Sequence, residues 1–94
     1  MLIIAGEIHL DPETRANYLA GCLEVIRQAR LAAGCLDFTL SADPLDAGRI
    51  NVYERWLGDA DLTRFRGAGP DDTMTAQIRS ASVHKYRIAS VEAP

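Results

Sequence analysis

The chain has 94 residues, of which 48% are hydrophobic and 24% are charged, and its formal net charge is −3. This length and composition are typical of one small globular domain, which we expect to span residues 1–94, and they exclude a disordered chain. Lys85 is the only lysine and the arginines form no cluster. The basic footprint of a nucleic-acid-binding protein is therefore missing.

The sequence also argues against a membrane span and a zinc site. The apolar run Leu2–Ala5 is far too short to cross a bilayer and has no charged leader. Cys22 and Cys35 form no CxxC pair and no cysteine–histidine cluster of zinc spacing, so we expect two reduced, largely buried thiols. These features predict a cytoplasmic protein with no membrane partner.

A strand and a long helix are predicted first. Leu2–Leu10 is apolar on both faces at its start and on one face at its end, which is typical of a central strand. Asp11 and Pro12 then favour a helix start. Apolar residues at three- and four-residue steps predict a helix from Pro12 to about Ala33, with Gly34 at its end.

A hairpin follows. Cys35–Ala42 alternates between apolar and polar residues, and we place Leu36, Phe38 and Leu40 on one face. The segment Asp43–Gly48 has turn composition, and Arg49–Trp56 is rich in residues that favour strands.

The last third predicts a helix over Asp59–Arg66, a break at Gly67–Pro70, a second helical stretch over 71–80 and a strand over 81–92. The inward-facing residues of the two helical stretches are Leu62, Phe65, Met74 and Ile78. We read the glycine-rich segment 67–72 either as a lid over a pocket or as a plain connector.

The predicted order is β-α-β-β-α-β. Right-handed crossovers and short connections then favour an α+β fold, a ferredoxin-like sandwich with an antiparallel sheet of strand order 4-1-3-2. All helices would pack on one face of that sheet. The other face carries apolar residues as well, so we expect a homodimer in which a second copy covers it.

Glu54 and Trp56 are the first site candidates, because residues two apart on a strand share a face. Trp56 could wall an aromatic pocket or could be a core residue that anchors a helix. Glu54 could transfer protons if burial raised its pKa, or could form an ion pair with Arg55 or Arg87.

Histidines and apolar residues complete the candidate set. His9 and His84 lie on strands predicted to be neighbours, and two ligands without a third favour a surface pair over a metal site. His84 could still act as an acid or base near neutral pH. A substrate pocket between sheet and helices, or equally a core there, would be lined by Phe38, Tyr53, Leu62, Phe65, Met74 and Ile78.

Four segments together resemble the antibiotic biosynthesis monooxygenase family, which includes small quinol monooxygenases. They are Glu7-Ile8, Gly34-Cys35, Asp43-Pro44 and Tyr53-Glu54-Arg55-Trp56, and their spacing is similar over nearly the whole chain. The resemblance implies a dimeric α+β barrel. It also implies oxygenation of an electron-rich phenolic or quinol substrate by dioxygen, with no metal, flavin or haem cofactor.

The chain departs from the family pattern in two places. Many members carry a His-Leu-x-x-Pro-His stretch after the second helix, where this chain has Arg64–Pro70 without histidine. Some also carry Asn four residues before the Trp, where this chain has Val52. We therefore predict a monooxygenase-like enzyme acting on a small aromatic, quinol or polyketide-type substrate, with Trp56, Glu54 and His84 as catalytic candidates. A non-catalytic small-molecule-binding or regulatory domain is the alternative, and haem degradation is a weaker third.

Overall fold

The computed structural model describes residues 1–67 and 75–94. Its elements are, in chain order, β1 (Leu2–His9), α1 (Arg15–Gly21), α2 (Leu23–Leu31), β2 (Cys35–Ala42), β3 (Arg49–Trp56), α3 (Asp59–Arg66) and β4 (Ser80–Arg87). The strands form one antiparallel sheet in the order β2-β3-β1-β4. The predicted ferredoxin-like α+β fold and strand order are confirmed. No helix within the described ranges is long and apolar enough to cross a membrane.

The strand β3 alternates strictly between the two faces of the sheet. Every second side chain is buried, and these four face the helices: Ile50, Val52, Glu54 and Trp56. The residues between them lie on the opposite face, which we call the open face. Because β3 is paired on both sides, with β1 and with β2, its backbone N–H and C=O groups are satisfied and its register is firmly set.

The space between sheet and helices holds two apolar clusters. The first contains Leu2, Ile4, Ala29, Phe38, Trp56 and Leu62, with Phe65 packed against it. The second contains Ile8, Leu10, Tyr18, Cys22, Ile50 and Val52, with Ile78 packed against it. The first cluster joins α2 and α3 to the sheet, and the second joins α1 to the sheet.

The helix predicted from Pro12 starts later, at Arg15. The Asp11 carboxylate accepts a hydrogen bond from the Glu13 N–H at 3.0 Å, and the Asp11 carbonyl accepts one from the Thr14 N–H at 2.9 Å. These bonds close a separate turn before the helix. Asp11 therefore stabilises a turn, since its short side chain competes for nearby backbone donors.

The same helix is also interrupted, at Cys22. The Cys22 N–H lies 3.1 Å from the Tyr18 carbonyl oxygen and 3.0 Å from that of Leu19, which is a tightened turn between α1 and α2. Gly21 precedes this point and has low helix propensity. The apolar periodicity alone did not reveal the break, because Cys22 stays buried on the same side as its neighbours.

Two strand predictions need correction. In β2, Cys35 pairs with Trp56 and Asp37 pairs with Arg55, so Leu36 is an extra residue in a bulge. Leu36 is consequently exposed, and Cys35 faces the core in its place. The last strand ends at Arg87 rather than near Glu92. Arg87 pairs with Leu2, the first residue of β1, and beyond that pair the Ile88 N–H donates to the Met1 carbonyl at 3.1 Å.

Gly34 is required where β2 meets α3. It has φ +82°, which favours glycine, and a Cβ atom there would collide with the Cβ and Cγ atoms of Asp61. Its carbonyl also accepts a hydrogen bond from the Leu57 N–H at 2.8 Å. The absence of a side chain at this position allows α3 to approach the turn between α2 and β2.

Replacing Gly34 with alanine should therefore lower the free energy of unfolding by about 1–3 kcal/mol, through backbone strain and the clash with Asp61. Gly67→Ala is the matched control, because Gly67 has right-handed helical backbone angles and room for a methyl group. Urea denaturation of both variants measures the difference. Equal stability of the two variants would contradict the role given to Gly34.

Candidate functional site

A buried hydrogen bond joins the two central candidates. The indole Nε1–H of Trp56 donates to Oε1 of Glu54 at 3.0 Å. Trp56 is 0% exposed and Glu54 is 8% exposed, and both lie on the helix side of β3. The strand places them together because they are two residues apart and share a face. The structure therefore shows Glu54 and Trp56 as a buried hydrogen-bonded pair.

Burial raises the pKa of the Glu54 carboxyl above its ordinary range, because the ionised form loses its hydration. The Trp56 N–H and the positive charge of Arg66 favour the ionised form and oppose this shift, with smaller effects. A carboxyl group in this setting can hold its proton closer to neutral pH than an exposed glutamate. Such a group is suited to accept or release a proton when a substrate is bound.

Aromatic rings surround the pair. The ring centroids of Trp56 and Phe65 lie 5.4 Å apart, and those of Phe38 and Phe65 lie 5.8 Å apart in an edge-to-face arrangement. Leu62 of α3 belongs to the same cluster. The apolar surroundings account for the raised pKa of Glu54, since few polar groups are available to stabilise a carboxylate.

The structure brings together only some of the residues predicted to share a site. Phe38, Leu62 and Phe65 do lie with Trp56 on the helix side. Ile78 belongs to the second apolar cluster instead. Met74 lies outside the described residues, as do residues 68–72 of the predicted lid.

Two other candidates lie on the wrong face for that site. Tyr53 projects from the open face, because it alternates with Glu54 along β3. His84 alternates with Val83, which packs against the core, so His84 also belongs to the open face. The prediction that His84 and Tyr53 share a pocket with Trp56 is corrected by this alternation: the sheet itself separates them.

The ion pairs proposed for Glu54 are replaced by others. Arg87 donates to both carboxylate oxygens of Asp59, at 2.8 and 3.1 Å, and Lys85 donates to the same group at 2.9 Å. These bonds hold the pKa of Asp59 well below its usual range. They also tie the edge strand β4 to the start of α3. Arg55, the other predicted partner of Glu54, lies on the open face.

His9 and His84 are not cross-strand partners. His9 pairs with Ser80, whereas His84 pairs with Ala5, which lies four residues before His9 on β1. The strand order was correct, but the register separates the two rings by about 13 Å along the strand. Within residues 1–67 and 75–94, no group of three His, Cys, Asp or Glu side chains is arranged to hold a metal ion.

The sequence interpretation missed a polar network at one end of the open face. Glu7 forms an ion pair with Arg49, and His9 lies 3.8 Å from Glu7 and 3.9 Å from Asp46. The Arg49 Nε–H donates to Oδ1 of Asn51 at 2.6 Å. The alternation of side chains along β1 and β3 is compatible with Glu7 and Arg49 on a common face. The ion pair between them depends on the register of the two strands, which the sequence pattern does not give.

Arg55 lies at the opposite end of the open face. Its cross-strand neighbours there are Asp37 on β2 and Ile3 on β1, and Ile3 in turn pairs with Tyr86 on β4. The Nε atom of Arg55 is buried and has no hydrogen-bond partner among the described residues. A buried guanidinium N–H without an acceptor is energetically unfavourable, so the Arg55 Nε–H calls for an acceptor that the described residues do not supply.

Both cysteines are free thiols. Burial raises the pKa of each thiol, so the unreactive protonated form is favoured at neutral pH. Neither sulfur belongs to the Glu54–Trp56 pair.

Taken together, the open four-stranded sheet, the helices on one face and the buried acid–indole pair define a small ferredoxin-like α+β protein with an internal polar site. The chain belongs to the antibiotic biosynthesis monooxygenase family, whose sequence profile matches residues 1–70. No curated protein matches the chain by sequence.

Solved structures share the fold at low sequence identity. A protein from Deinococcus radiodurans, provisionally assigned as an antibiotic biosynthesis monooxygenase, superposes with a TM-score of 0.86 at 16% identity, over 100% of this chain and 98% of that one. A similarly assigned protein from Nitrosomonas europaea gives 0.84 at 13% identity, over 96% and 100%. A protein from Methanosarcina mazei gives 0.79 at 14% identity, over 92% and 90%.

The raised pKa of Glu54 predicts a specific pH dependence. The fold disfavours the carboxylate, so the contribution of Glu54 to stability is full below its ordinary pKa of 4.5 and is lost as the pH rises through the raised pKa of the folded state. Glu54→Gln keeps an acceptor for Trp56 without a titrating group. Relative to wild type, this variant should gain stability as the pH rises from about 4 to 7.

Urea denaturation at several pH values measures this difference, and the other acids cancel because both proteins contain them. Glu54→Leu is the second variant, and it should be less stable than Glu54→Gln by about 1–3 kcal/mol, because the buried Trp56 N–H loses its acceptor. A stability difference between wild type and Glu54→Gln that does not change with pH would rule out the raised pKa.

Proposed function

We propose that this chain is a cofactor-independent monooxygenase that oxidises a small aromatic, quinol or polyketide-type substrate with dioxygen. The observation that carries the proposal is the buried Glu54 carboxyl, with its raised pKa and its bond to Trp56. Membership of the family supports the class of reaction. We also propose that residues 1–94 form one domain and that the protein is cytoplasmic, which the two free thiols favour.

In this proposal Glu54 handles the proton of the substrate. An ionised Glu54 accepts a proton from an acidic phenolic O–H or from a ring CH₂ activated by a neighbouring carbonyl, and the resulting anion is rich enough in electrons to react with dioxygen. At a ring CH₂ group, one oxygen atom becomes a new carbonyl and the other leaves as water with the two hydrogens of that group. With a quinol, one oxygen atom becomes a ring hydroxyl, the ring is oxidised to the hydroxyquinone, and the other oxygen leaves as water with two hydrogens of the quinol. In both cases the substrate itself supplies the electrons.

Trp56 and Phe65 would position the ring and exclude water. Their faces offer stacking surface for a planar substrate, and the indole N–H fixes the orientation of the Glu54 carboxyl. A dry site also protects a reactive peroxide intermediate from side reactions.

Oxygen uptake with anthrone or a naphthoquinol tests this activity. The metal-free protein should accelerate uptake above the spontaneous rate, and Glu54→Gln should lower kcat by about 10²-fold or more, because it removes the proton acceptor. Glu13→Gln is the control, since Glu13 is exposed and lies in the turn before α1. Uptake that is equal in wild type and Glu54→Gln would refute the proposed role of Glu54.

A non-catalytic binding or regulatory domain is the second candidate. It is favoured by one observation: Trp56 is fully buried, and Phe65 packs directly on it. A site of this kind could hold a small hydrophobic molecule without turning it over. Saturable binding of a substrate analogue without oxygen uptake would favour this candidate.

We propose in addition that a second copy of the chain covers the open face to form a dimeric α+β barrel. One half of this face carries the apolar or aromatic side chains of Ile3, Ala5, Tyr53, His84 and Tyr86. They lie in two neighbouring cross-strand rows that also contain Asp37, Thr39 and Arg55. Tyr86 is exposed there. The buried Nε of Arg55, without an acceptor in the described chain, supports a partner that supplies one.

Sedimentation equilibrium tests the dimer. Wild type should show twice the chain mass of 10.3 kDa at micromolar concentration. Ile3→Lys should raise the dissociation constant about 100-fold or more, because it buries a second cation beside Arg55. Leu45→Lys is the control, since Leu45 lies in the hairpin loop away from the sheet. A wild-type mass of 10.3 kDa would reject the dimer.

A further inference from the structure

A groove between α2 and α3 lies directly outside the buried pair. It has a volume of about 330 Å³ and is lined by Gln28, Leu31, Ala32, Ala33, Asp61, Arg64 and Phe65. This volume is at the lower end of the roughly 300–1,000 Å³ typical of small-molecule sites. The groove therefore has room for a molecule of one or two fused rings.

Phe65 belongs to both the groove and the buried site. It lines the groove, and its ring also packs on Trp56 with the centroids 5.4 Å apart. Trp56 in turn donates to Glu54. A continuous series of packed side chains thus connects the groove, through Phe65 and Trp56, to the buried carboxyl, and the Phe65 ring is the member of that series in contact with the groove.

The walls of the groove favour an aromatic ligand. Leu31 is 82% exposed at its mouth, although it is a large apolar residue at the end of a helix. Ala32 and Ala33 extend the apolar wall, and the Phe65 ring supplies an aromatic surface. A flat apolar ring bound there would remove Leu31 from water and stack against Phe65.

The rim of the groove offers both a donor and an acceptor. Arg64 donates one N–H to Asp61 at 3.3 Å, and its guanidinium carries further N–H groups. Gln28 donates its Nε2–H to Glu24 at 2.9 Å, so its carbonyl oxygen remains an acceptor. These groups match a ring that carries a hydroxyl group together with a carbonyl or phenolate oxygen.

We infer that this groove binds a hydroxylated or quinonoid aromatic molecule, and that Phe65 is the gate through which the molecule reaches Glu54. The inference rests on the proposed function for the identity of the inner site. It adds the access route, the gate residue and the outer binding surface. In the present structure the Phe65 ring covers Trp56. When that ring turns aside, the ligand takes its position and stacks on the Trp56 indole.

Trp56 is the only tryptophan, so its fluorescence reports on this path alone. The probe is 2,3-dimethyl-1,4-naphthoquinone, which quenches indole fluorescence and whose blocked ring positions prevent addition to cysteine. Wild type should show saturable quenching. Leu31→Glu should weaken this binding about tenfold, because it places a charge where the apolar ring docks.

Leu45→Glu is the matched control, because Leu45 is 96% exposed but lies far from the groove, in the hairpin loop. Both leucines are exposed, so neither substitution should disturb folding. Quinone affinity that is unchanged in Leu45→Glu and weakened in Leu31→Glu supports the groove. Equal affinities in the two variants, or quenching that never saturates in wild type, would overturn it.

The gate has its own readout. Acrylamide should quench Trp56 weakly in wild type and several-fold more strongly in Phe65→Ala, because the covering ring is gone. Phe65→Leu, which keeps the apolar packing and the fold, should give an intermediate value. Acrylamide quenching that stays at the wild-type level in both variants would overturn the gating role of Phe65.

The two proposals fail separately. Saturable quinone binding without protein-dependent oxygen uptake would end the monooxygenase proposal and leave the groove standing. Oxygen uptake with the same KM in Leu31→Glu and wild type would leave the enzyme standing and end the groove.

Discussion

The alternation of side chains along β3 is the constraint on which the rest of this structure depends. Because β3 is paired with β1 and β2 along its length, its register cannot slip without moving every side chain to the other face. That register places a carboxyl group, Glu54, among apolar residues and gives it Trp56 as its hydrogen-bond donor. It also places Arg49 and Arg55 on the open face, where their positive charges cannot form an ion pair with the Glu54 carboxylate.

The same arrangement gives the acids of this chain opposite pH behaviour. Burial raises the pKa of Glu54, so ionising this residue weakens the fold as the pH rises. Asp59 has a lowered pKa through Arg87 and Lys85, so its contribution is lost as the pH falls. Asp59 links α3 to β4 at the surface through its ion pairs with Lys85 and Arg87. Glu54 lies in the interior, where burial disfavours its ionised form. Perturbed pKa values of buried groups are concentrated at functional sites, and the raised pKa of Glu54 is the reason why we propose a proton-transfer role for this residue.

The sequence was sufficient for the architecture because hydrophobic alternation and turn residues act locally. It predicted β3 and α3 to the residue, and it predicted that Glu54 and Trp56 share a face. It could not reveal the bulge at Leu36, because one extra residue leaves the composition of β2 unchanged while shifting its alternation. The sequence also placed His84 and Tyr53 with Trp56, although the periodicity of each strand does not say which of its two faces meets the helices.

The complete burial of Trp56 sets a condition on every function of the inner site. A ligand cannot contact the indole while the Phe65 ring lies 5.4 Å from it, so binding requires movement of α3 or of that ring. The price of that movement is lost packing, and the ligand must restore equivalent apolar contacts to bind well. An aromatic ligand does so best, because it can replace the stacking that Phe65 gives up. A catalytic domain and a binding domain on this chain would therefore share the opening step, and they differ in whether Glu54 then exchanges a proton with the bound molecule.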